Sequence, residues 1–165
     1  MIKDNKVYYY NACLDKATES TCIKAGFGCM LVLENKPIIV TCNGHSDWAK
    51  TFCEEGKCIR FKIPSRTNSL IGACGHAEEK AIWSSVKKYG TAKGANLYVT
   101  GVQKPSNEPL IYNRTEFSCI RCATVMCYAE VERIYWWTNG TDLVSQTPYD
   151  AYVSSMKFAI GEYKV

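Results

Sequence analysis

Two short segments constrain this chain more than any other part of its sequence: residues 74–78 (CGHAE) and residues 118–122 (SCIRC). Each follows an irregular stretch and opens a predicted helix. The second segment holds two cysteines three positions apart, close to one helical turn, so both can face one ligand. Helix starts present free N–H groups and the positive end of the helix dipole, which favours thiolate over thiol. The fold is therefore expected to bring two helix starts together.

His76, Cys119 and Cys122 together offer one nitrogen and two sulfur ligands. Three protein ligands with a fourth position left for water are typical of a catalytic zinc, so we expect this trio to bind Zn2+. Glu78 lies two positions after His76, where its carboxylate can stand beside the metal without ligating it. Because zinc lowers the pKa of bound water to roughly 7, such a carboxylate can take the proton and return it to a leaving group. Glu78 is therefore the predicted catalytic residue.

A closed structural zinc site is the alternative for these residues. It would need a fourth ligand, for example Cys74, which lies just before His76. A closed site would leave Glu78 without a role.

The hydrophobic pattern predicts an α/β protein made of one domain, residues 1–165. The predicted elements, in chain order, are a helix at 8–21, a β-hairpin from strands 26–33 and 38–42, a helix at 76–89, a strand at 96–100, a helix at 119–130, a strand at 131–137 and a helix at 149–160. Strands that alternate with helices favour a largely parallel sheet covered by helices. Residues 44–75 and 104–117 are predicted to be irregular.

The ten cysteines fit either a secreted disulfide scaffold or a protein with reduced thiols. Residues 1–20 are polar and lack the apolar core of a signal peptide, and no stretch approaches transmembrane length. We therefore expect a cytoplasmic protein, with no membrane partner, whose close cysteine pairs bind metal. The net charge of +4 is too mild to indicate a dedicated nucleic-acid binder.

The two motif segments resemble those of a known enzyme family. Residues 76–82 (HAEEKAI) resemble the HAExxAI segment of cytidine and deoxycytidylate deaminases, and residues 118–123 (SCIRCA) resemble their PCxxCA segment. Residues 28–32 (GCMLV) and 41–44 (TCNG) are similar to the VGAVIV and GYNG segments of deoxycytidylate deaminases, so the resemblance spans about residues 8–160.

This resemblance implies the cytidine deaminase-like three-layer α/β/α sandwich around a mixed, mostly parallel five-stranded sheet, with the fifth strand after Thr141. It also implies a zinc-dependent hydrolase that converts a cytosine nucleotide, such as dCMP, to the uracil product with release of ammonia. The implied partners are a small-molecule pyrimidine nucleotide or nucleoside and further copies of the chain in a homo-oligomer.

Two substrate-binding residues follow from the resemblance. Asn43 matches the family asparagine that hydrogen-bonds the sugar, although Asn-Gly is also a common turn pair. Ala77 matches the residue whose backbone lies near the base carbonyl. Ser118 replaces the usual proline, residues 44–46 depart from the NG-x-P pattern near the phosphate, and the 104–117 insertion is long. These departures leave the base and the phosphate state open.

Other functions remain alternatives. The same fold can act on a base within RNA or single-stranded DNA, or on a purine or another free base or nucleoside. Tyr135, Trp136 and Trp137 could stack on a flipped base, but alternate residues of such a strand are more often core. The sequence has no basic tail, which disfavours nucleic acid. A non-catalytic zinc module is disfavoured by the presence of Glu78.

A second, structural zinc is a further hypothesis for the irregular segment. Cys53, Cys58, Cys74 and His45 would form a closed set of four ligands and would pin a loop that lacks its own core. Some deoxycytidylate deaminases carry an extra structural zinc in this region. The alternative is that these cysteines are unpaired thiols.

Overall fold

The computed structural model describes residues 2–53, 58–63, 72–112, 118–138, 140 and 142–162. The helices and strands, in chain order, are α1 (Ile2–Thr18), β1 (Ala25–Leu33), β2 (Lys36–Cys42), α2 (Ala77–Tyr89), β3 (Asn96–Gln103), α3 (Ile120–Tyr128), β4 (Arg133–Thr138), β5 (Asp142–Gln146) and α4 (Pro148–Ala159). Two short 3-10 helices, Asp47–Phe52 and Ile59–Lys62, lie between β2 and α2.

The sheet has five strands in the order β2-β1-β3-β4-β5. Strand β1 is antiparallel to both β2 and β3, β3 and β4 are parallel, and β4 and β5 are antiparallel. Hence β2, β3 and β4 run in one direction, and the predicted mixed sheet is confirmed. Only one neighbouring pair is parallel, fewer than expected, because the β1–β2 and β4–β5 connections are too short for a crossover. Since β3 runs in the same direction as β2, it is also antiparallel to β1.

Both faces of the sheet are covered. On one face, Tyr9 and Cys13 of α1 pack against Met30 and Val32 of β1 and Trp137 of β4. The opposite face carries the larger core, built from α2, α3, β1, β3 and β4 together with Ala151 of α4. Adjacent β1 residues therefore bury their side chains on opposite faces, which explains why this strand reads as a continuous apolar run.

Two glycines of β1 let α1 approach the sheet closely. A Cβ on Gly28 would lie 1.8 Å from the Cys13 carbonyl oxygen, and one on Gly26 would lie 2.1 Å from the Ala17 carbonyl oxygen. No side chain fits at either position unless the helix moves. The absence of a side chain at Gly26 and Gly28 thus allows the close contact between α1 and β1.

The predicted elements are all present, with shifted ends. Helix α1 begins at Ile2 and ends at Thr18, whereas the sequence pattern predicted 8–21. The fifth strand, expected from the family resemblance alone, is β5. Parts of the two predicted irregular segments, residues 54–57, 64–71 and 113–117, lie outside the described residues.

Trp136 and Trp137 of β4 belong to the core, and Tyr135 is partly buried. Trp136 and Trp137 are 1% and 5% exposed. The Tyr135 ring stacks on the Tyr98 ring of β3, with centroids 4.7 Å apart. The expectation that this strand is core is confirmed. Among the described helices, none combines the length and the apolar character needed to span a membrane.

Candidate metal centre

The three predicted ligands lie at the starts of two helices on the same face of the sheet. His76 is the N-cap residue of α2 and Cys119 is the N-cap residue of α3, while Cys122 lies in the first turn of α3. Both N-cap residues have extended backbone, as expected for residues that end a loop. The two helix starts converge, as the sequence predicted.

The ligand atoms are close enough to share one metal ion. The Nδ1 atom of His76 lies 3.1 Å from Cys122 Sγ and 3.3 Å from Cys119 Sγ. Zn–N and Zn–S bonds of about 2.0 and 2.3 Å put tetrahedral N and S ligands about 3.5 Å apart. All three atoms lie within 4.8 Å of one another, and within the described ranges no other group of three His, Cys, Asp or Glu residues is this compact. The donor set and the spacing fit zinc.

Cys119 carries the negative charge of the trio. Its pKa is lowered to about 4, because the Cys122 thiol and the His76 ring hydrogen-bond its thiolate. The pKa of Cys122 is raised well above its usual value, since its side chain is fully buried. A divalent cation between the two sulfurs would offset the cost of burying both thiolates.

Glu78 lies in the first turn of α2 and is only 7% exposed. Burial raises the pKa of its carboxyl group, and the nearby His76 partly opposes that shift. A raised pKa makes the protonated form of a buried carboxyl group more accessible, which suits a group that must both accept and donate a proton. The structure thus places a suitable acid–base group beside the three metal ligands.

Asn43 fastens the end of β2 to the neighbouring backbone. Its Oδ1 atom accepts hydrogen bonds from Ser20 Oγ and Phe27 N, both at 2.7 Å, and its Nδ2 donates to Ala25 O at 3.0 Å. This network gives Asn43 a structural role. Its contact with a sugar stays a prediction.

Ala77 is fully buried at the start of α2, and its carbonyl oxygen accepts a hydrogen bond of 2.8 Å from Thr41 Oγ1. The link ties α2 to β2. Thr41 was not predicted as a site residue, and nothing in its local sequence marks it. Glu79, which accepts a 3.1 Å hydrogen bond from the His76 backbone N–H, could have been found from its capping-box spacing.

Cys74 does not join the trio. Its Sγ atom lies 3.6 Å from Cys53 Sγ, and Cys22 and Cys58 lie nearby. Cys74, the fourth ligand in the closed-site alternative, therefore lies against Cys53 and not with the trio. His45 Nδ1 lies 3.3 Å from the carbonyl oxygen of Ser46.

Residues 3–138 match the family model described as the cytidine and deoxycytidylate deaminase zinc-binding region. The chain belongs to this family. The match covers more than half of the chain and includes all three ligands. The predicted family membership and the zinc cofactor are thereby confirmed, and the family supports a hydrolytic deaminase.

Solved structures share the fold. The cytidine deaminase from Burkholderia pseudomallei has a TM-score of 0.57 and 16% identity, over 88% of this chain and 94% of that one. The dCMP deaminase from the cyanophage S-TIM5, in complex with dCMP and dUMP, has a TM-score of 0.54 and 18% identity, over 91% of this chain and 90% of that one. Among curated proteins, no sequence matches this deaminase-family chain.

Replacing either cysteine ligand is expected to remove this zinc. Cys119→Ala and Cys122→Ala should each lose about one zinc per chain relative to the unmodified protein, measured by atomic absorption after gel filtration. Cys127→Ala is the matched control, because Cys127 lies in the same helix but away from the trio. Unchanged zinc in both ligand variants would contradict the assignment.

Proposed function

We propose that this protein is a hydrolytic deaminase that converts a cytosine nucleotide, dCMP or a close relative, to the uracil product with release of ammonia. The observation that carries the proposal is the buried Glu78 carboxyl group beside three converging zinc ligands. Three protein ligands leave one coordination position for a reactant, and a separate carboxyl group can handle protons.

Zinc, when bound by His76, Cys119 and Cys122, supplies a water nucleophile that is acidic enough to ionise near neutral pH. Glu78 accepts the proton of that water and delivers it to the ring nitrogen of the base. Once the water oxygen has bonded to C4, the Glu78 carboxylate takes the second proton from the hydroxyl group now on C4 and gives it to the amino group, which leaves as ammonia as the C4 carbonyl forms. Its burial suits this work, because a raised pKa lets the group cycle between its two protonation states.

In the proposed reaction, one backbone donor and one side-chain donor orient the substrate. Ala77 is the first residue of α2, and the N–H of such a residue has no partner within its helix, so it can donate to the base carbonyl. The Nδ2 group of Asn43 needs one hydrogen for Ala25 O, and its second hydrogen can bind a sugar hydroxyl. The bonds from Thr41 and Ser20 would hold both donors in place.

Action on a base within a single strand is the competing function. Burial of Trp136 and Trp137 removes the stacking surface on β4 that would have favoured it. Trp48, Phe52 and Phe61, however, are each more than half exposed on the segment that leads from Asn43 to His76. Exposed aromatic rings can stack on bases, so an oligonucleotide belongs in the substrate test.

The proposed homo-oligomer finds support on the outer face of α2. Trp83 and Tyr89 are 57% and 48% exposed there. Large aromatic side chains are enriched in protein–protein interfaces, and this face is available for a second copy of the chain.

Ammonia release from a panel of substrates tests the proposed reaction. We expect dCMP to turn over faster than cytidine, and cytidine faster than a cytosine-containing oligonucleotide. The panel should include adenine and guanine nucleosides and nucleotides. Fastest turnover of the oligonucleotide would move the function to single strands. Turnover of a purine alone would reject the cytosine assignment.

Glu78→Gln is expected to separate metal binding from chemistry. The amide keeps the size of the side chain but cannot accept a proton. Acid–base groups typically contribute about 10²–10⁴-fold, and because Glu78 serves several steps, turnover should fall by about 10⁴-fold or more. Zinc content should be unchanged, since Glu78 is not a ligand. Turnover and zinc are measured on the same preparation. Loss of zinc together with activity would make Glu78 a ligand, and retention of both would refute the mechanism.

We also propose a second, structural zinc bound by Cys22, Cys53, Cys58 and Cys74. Cys53 Sγ lies 3.6 Å from Cys74 Sγ, and Cys22 and Cys58 lie near this pair, with the four sulfurs more widely spaced than the ligand atoms of the trio. Four thiols form a complete tetrahedral ligand set. In this revised set Cys22 takes the place first assigned to His45.

The burial pattern between β2 and α2 supports this second site. Cys53 and Cys58 are 6% and 7% exposed, whereas the aromatic side chains beside them point outward. In this segment the buried positions hold thiols, whereas in a loop with an apolar core the aromatic rings would be buried. A metal that cross-links the thiols would supply the missing stabilisation.

Zinc stoichiometry distinguishes the two ligand sets. We expect about two zinc ions per unmodified chain, about one in Cys22→Ala and Cys53→Ala, and about two in the control His45→Ala. Zinc retained in Cys22→Ala but lost in His45→Ala would restore the original set. A single zinc in the unmodified protein would rule out the second site.

A further inference from the structure

A largely buried ion pair joins the two helices that carry the zinc ligands. Arg121, in the first turn of α3, donates from Nε to Glu79 Oε1 at 2.5 Å. Glu79 lies in the first turn of α2, and its other oxygen accepts the backbone N–H of His76 at 3.1 Å. The Glu79 carboxylate therefore links one ligand-bearing helix start directly to the other.

Arg121 makes a second contact, from Nη1 to the carbonyl oxygen of Gly72 at 3.5 Å. Gly72 lies in the loop that leads into α2. The Arg121 guanidinium group thus contacts α2 and the loop before it, while the backbone of Arg121 lies between Cys119 and Cys122. A planar group with several fixed donors can hold two partners at once, which a lysine ammonium does less well.

The pair is also well shielded from water. The Glu79 side chain is 9% exposed and the Arg121 side chain is 25% exposed. A shielded carboxylate is costly unless it is paired, and loss of one partner leaves an uncompensated charge. The two side chains should therefore behave as a unit, unlike the exposed Lys93–Glu130 pair, whose side chains are 68% and 61% exposed.

We propose that Arg121 and Glu79 are positioning residues that hold His76 in register with Cys119 and Cys122, so that zinc is retained. Neither side chain is a member of the ligand trio. Residues that orient metal ligands typically contribute about 10–100-fold to metal affinity or activity. The proposal depends on the zinc centre and not on which substrate is deaminated, so it can fail or succeed independently of the proposed function.

Charge alone predicts the opposite effect. Arg121 is a cation near a site for a divalent cation, and by Coulomb's law its removal would tighten zinc binding. A positioning role predicts looser binding, because the ligands lose their alignment. The direction of the change in zinc release therefore separates the two roles.

The experiment measures zinc release from the folded, zinc-loaded protein to excess 4-(2-pyridylazo)resorcinol. The phase that is missing in Cys122→Ala identifies the zinc of the trio. We expect about 10–100-fold faster release in Arg121→Gln and Glu79→Gln, and no further acceleration in the double variant. Arg121→Lys keeps the positive charge but loses the planar guanidinium group. Its rate of zinc release should lie between the rates of Arg121→Gln and the unmodified protein.

Lys93→Gln is the matched control, since it removes an exposed ion pair and should leave release unchanged. With zinc restored, kcat should fall in Arg121→Gln while KM changes little, because neither side chain is among the groups assigned to the substrate. Release from Arg121→Gln at the normal rate or more slowly would overturn the proposal, as would additive effects in the double variant. If Arg121→Gln does not fold, Arg121→Lys decides, because it keeps the charge: faster zinc release than from the unmodified protein supports positioning, and an unchanged rate overturns the proposal.

Discussion

The structure depends on the convergence of two helix starts at one edge of the sheet. Strands β2 and β3 flank β1 and run in the same direction, so their carboxyl ends lie at the same edge. Helix α2 follows β2 and helix α3 follows β3, and both pack on the same face. Their N-termini therefore meet where ligands bind in open α/β sheets. One histidine and two cysteines placed at these starts are brought together without any strained backbone.

Each residue near the start of α2 satisfies a different requirement of the same site. His76 ends the loop and offers a ligand, Glu78 lies buried where the proposed reaction needs an acid–base group, and Glu79 caps the helix and pairs with Arg121. These demands are compatible because side chains in a first turn point in different directions. Their concentration within four residues explains why so short a segment identifies the family.

The site was predictable from sequence where its chemistry is local. The spacing of His76 and Glu78, and of Cys119 and Cys122, is visible without tertiary information. The start of α1 was missed because its buried stripe, Tyr9, Cys13 and Ala17, begins well inside the helix, and the preceding turns are polar. Strand β5 was equally hidden from its own sequence, DLVSQ, because it is an edge strand with no buried residue. Cys22 and Arg121 reach their partners only through the tertiary fold, so no local pattern could have assigned them.

The central claim is that His76, Cys119 and Cys122 bind a zinc ion whose remaining position is open beside Glu78. A crystal structure with anomalous diffraction data on both sides of the zinc absorption edge tests it most directly. The account predicts an anomalous peak about 2.0–2.3 Å from His76 Nδ1 and the two sulfurs, with a solvent oxygen as fourth ligand and Glu78 next to that oxygen. A peak coordinated by four protein side chains, or no peak between these three residues, would contradict it.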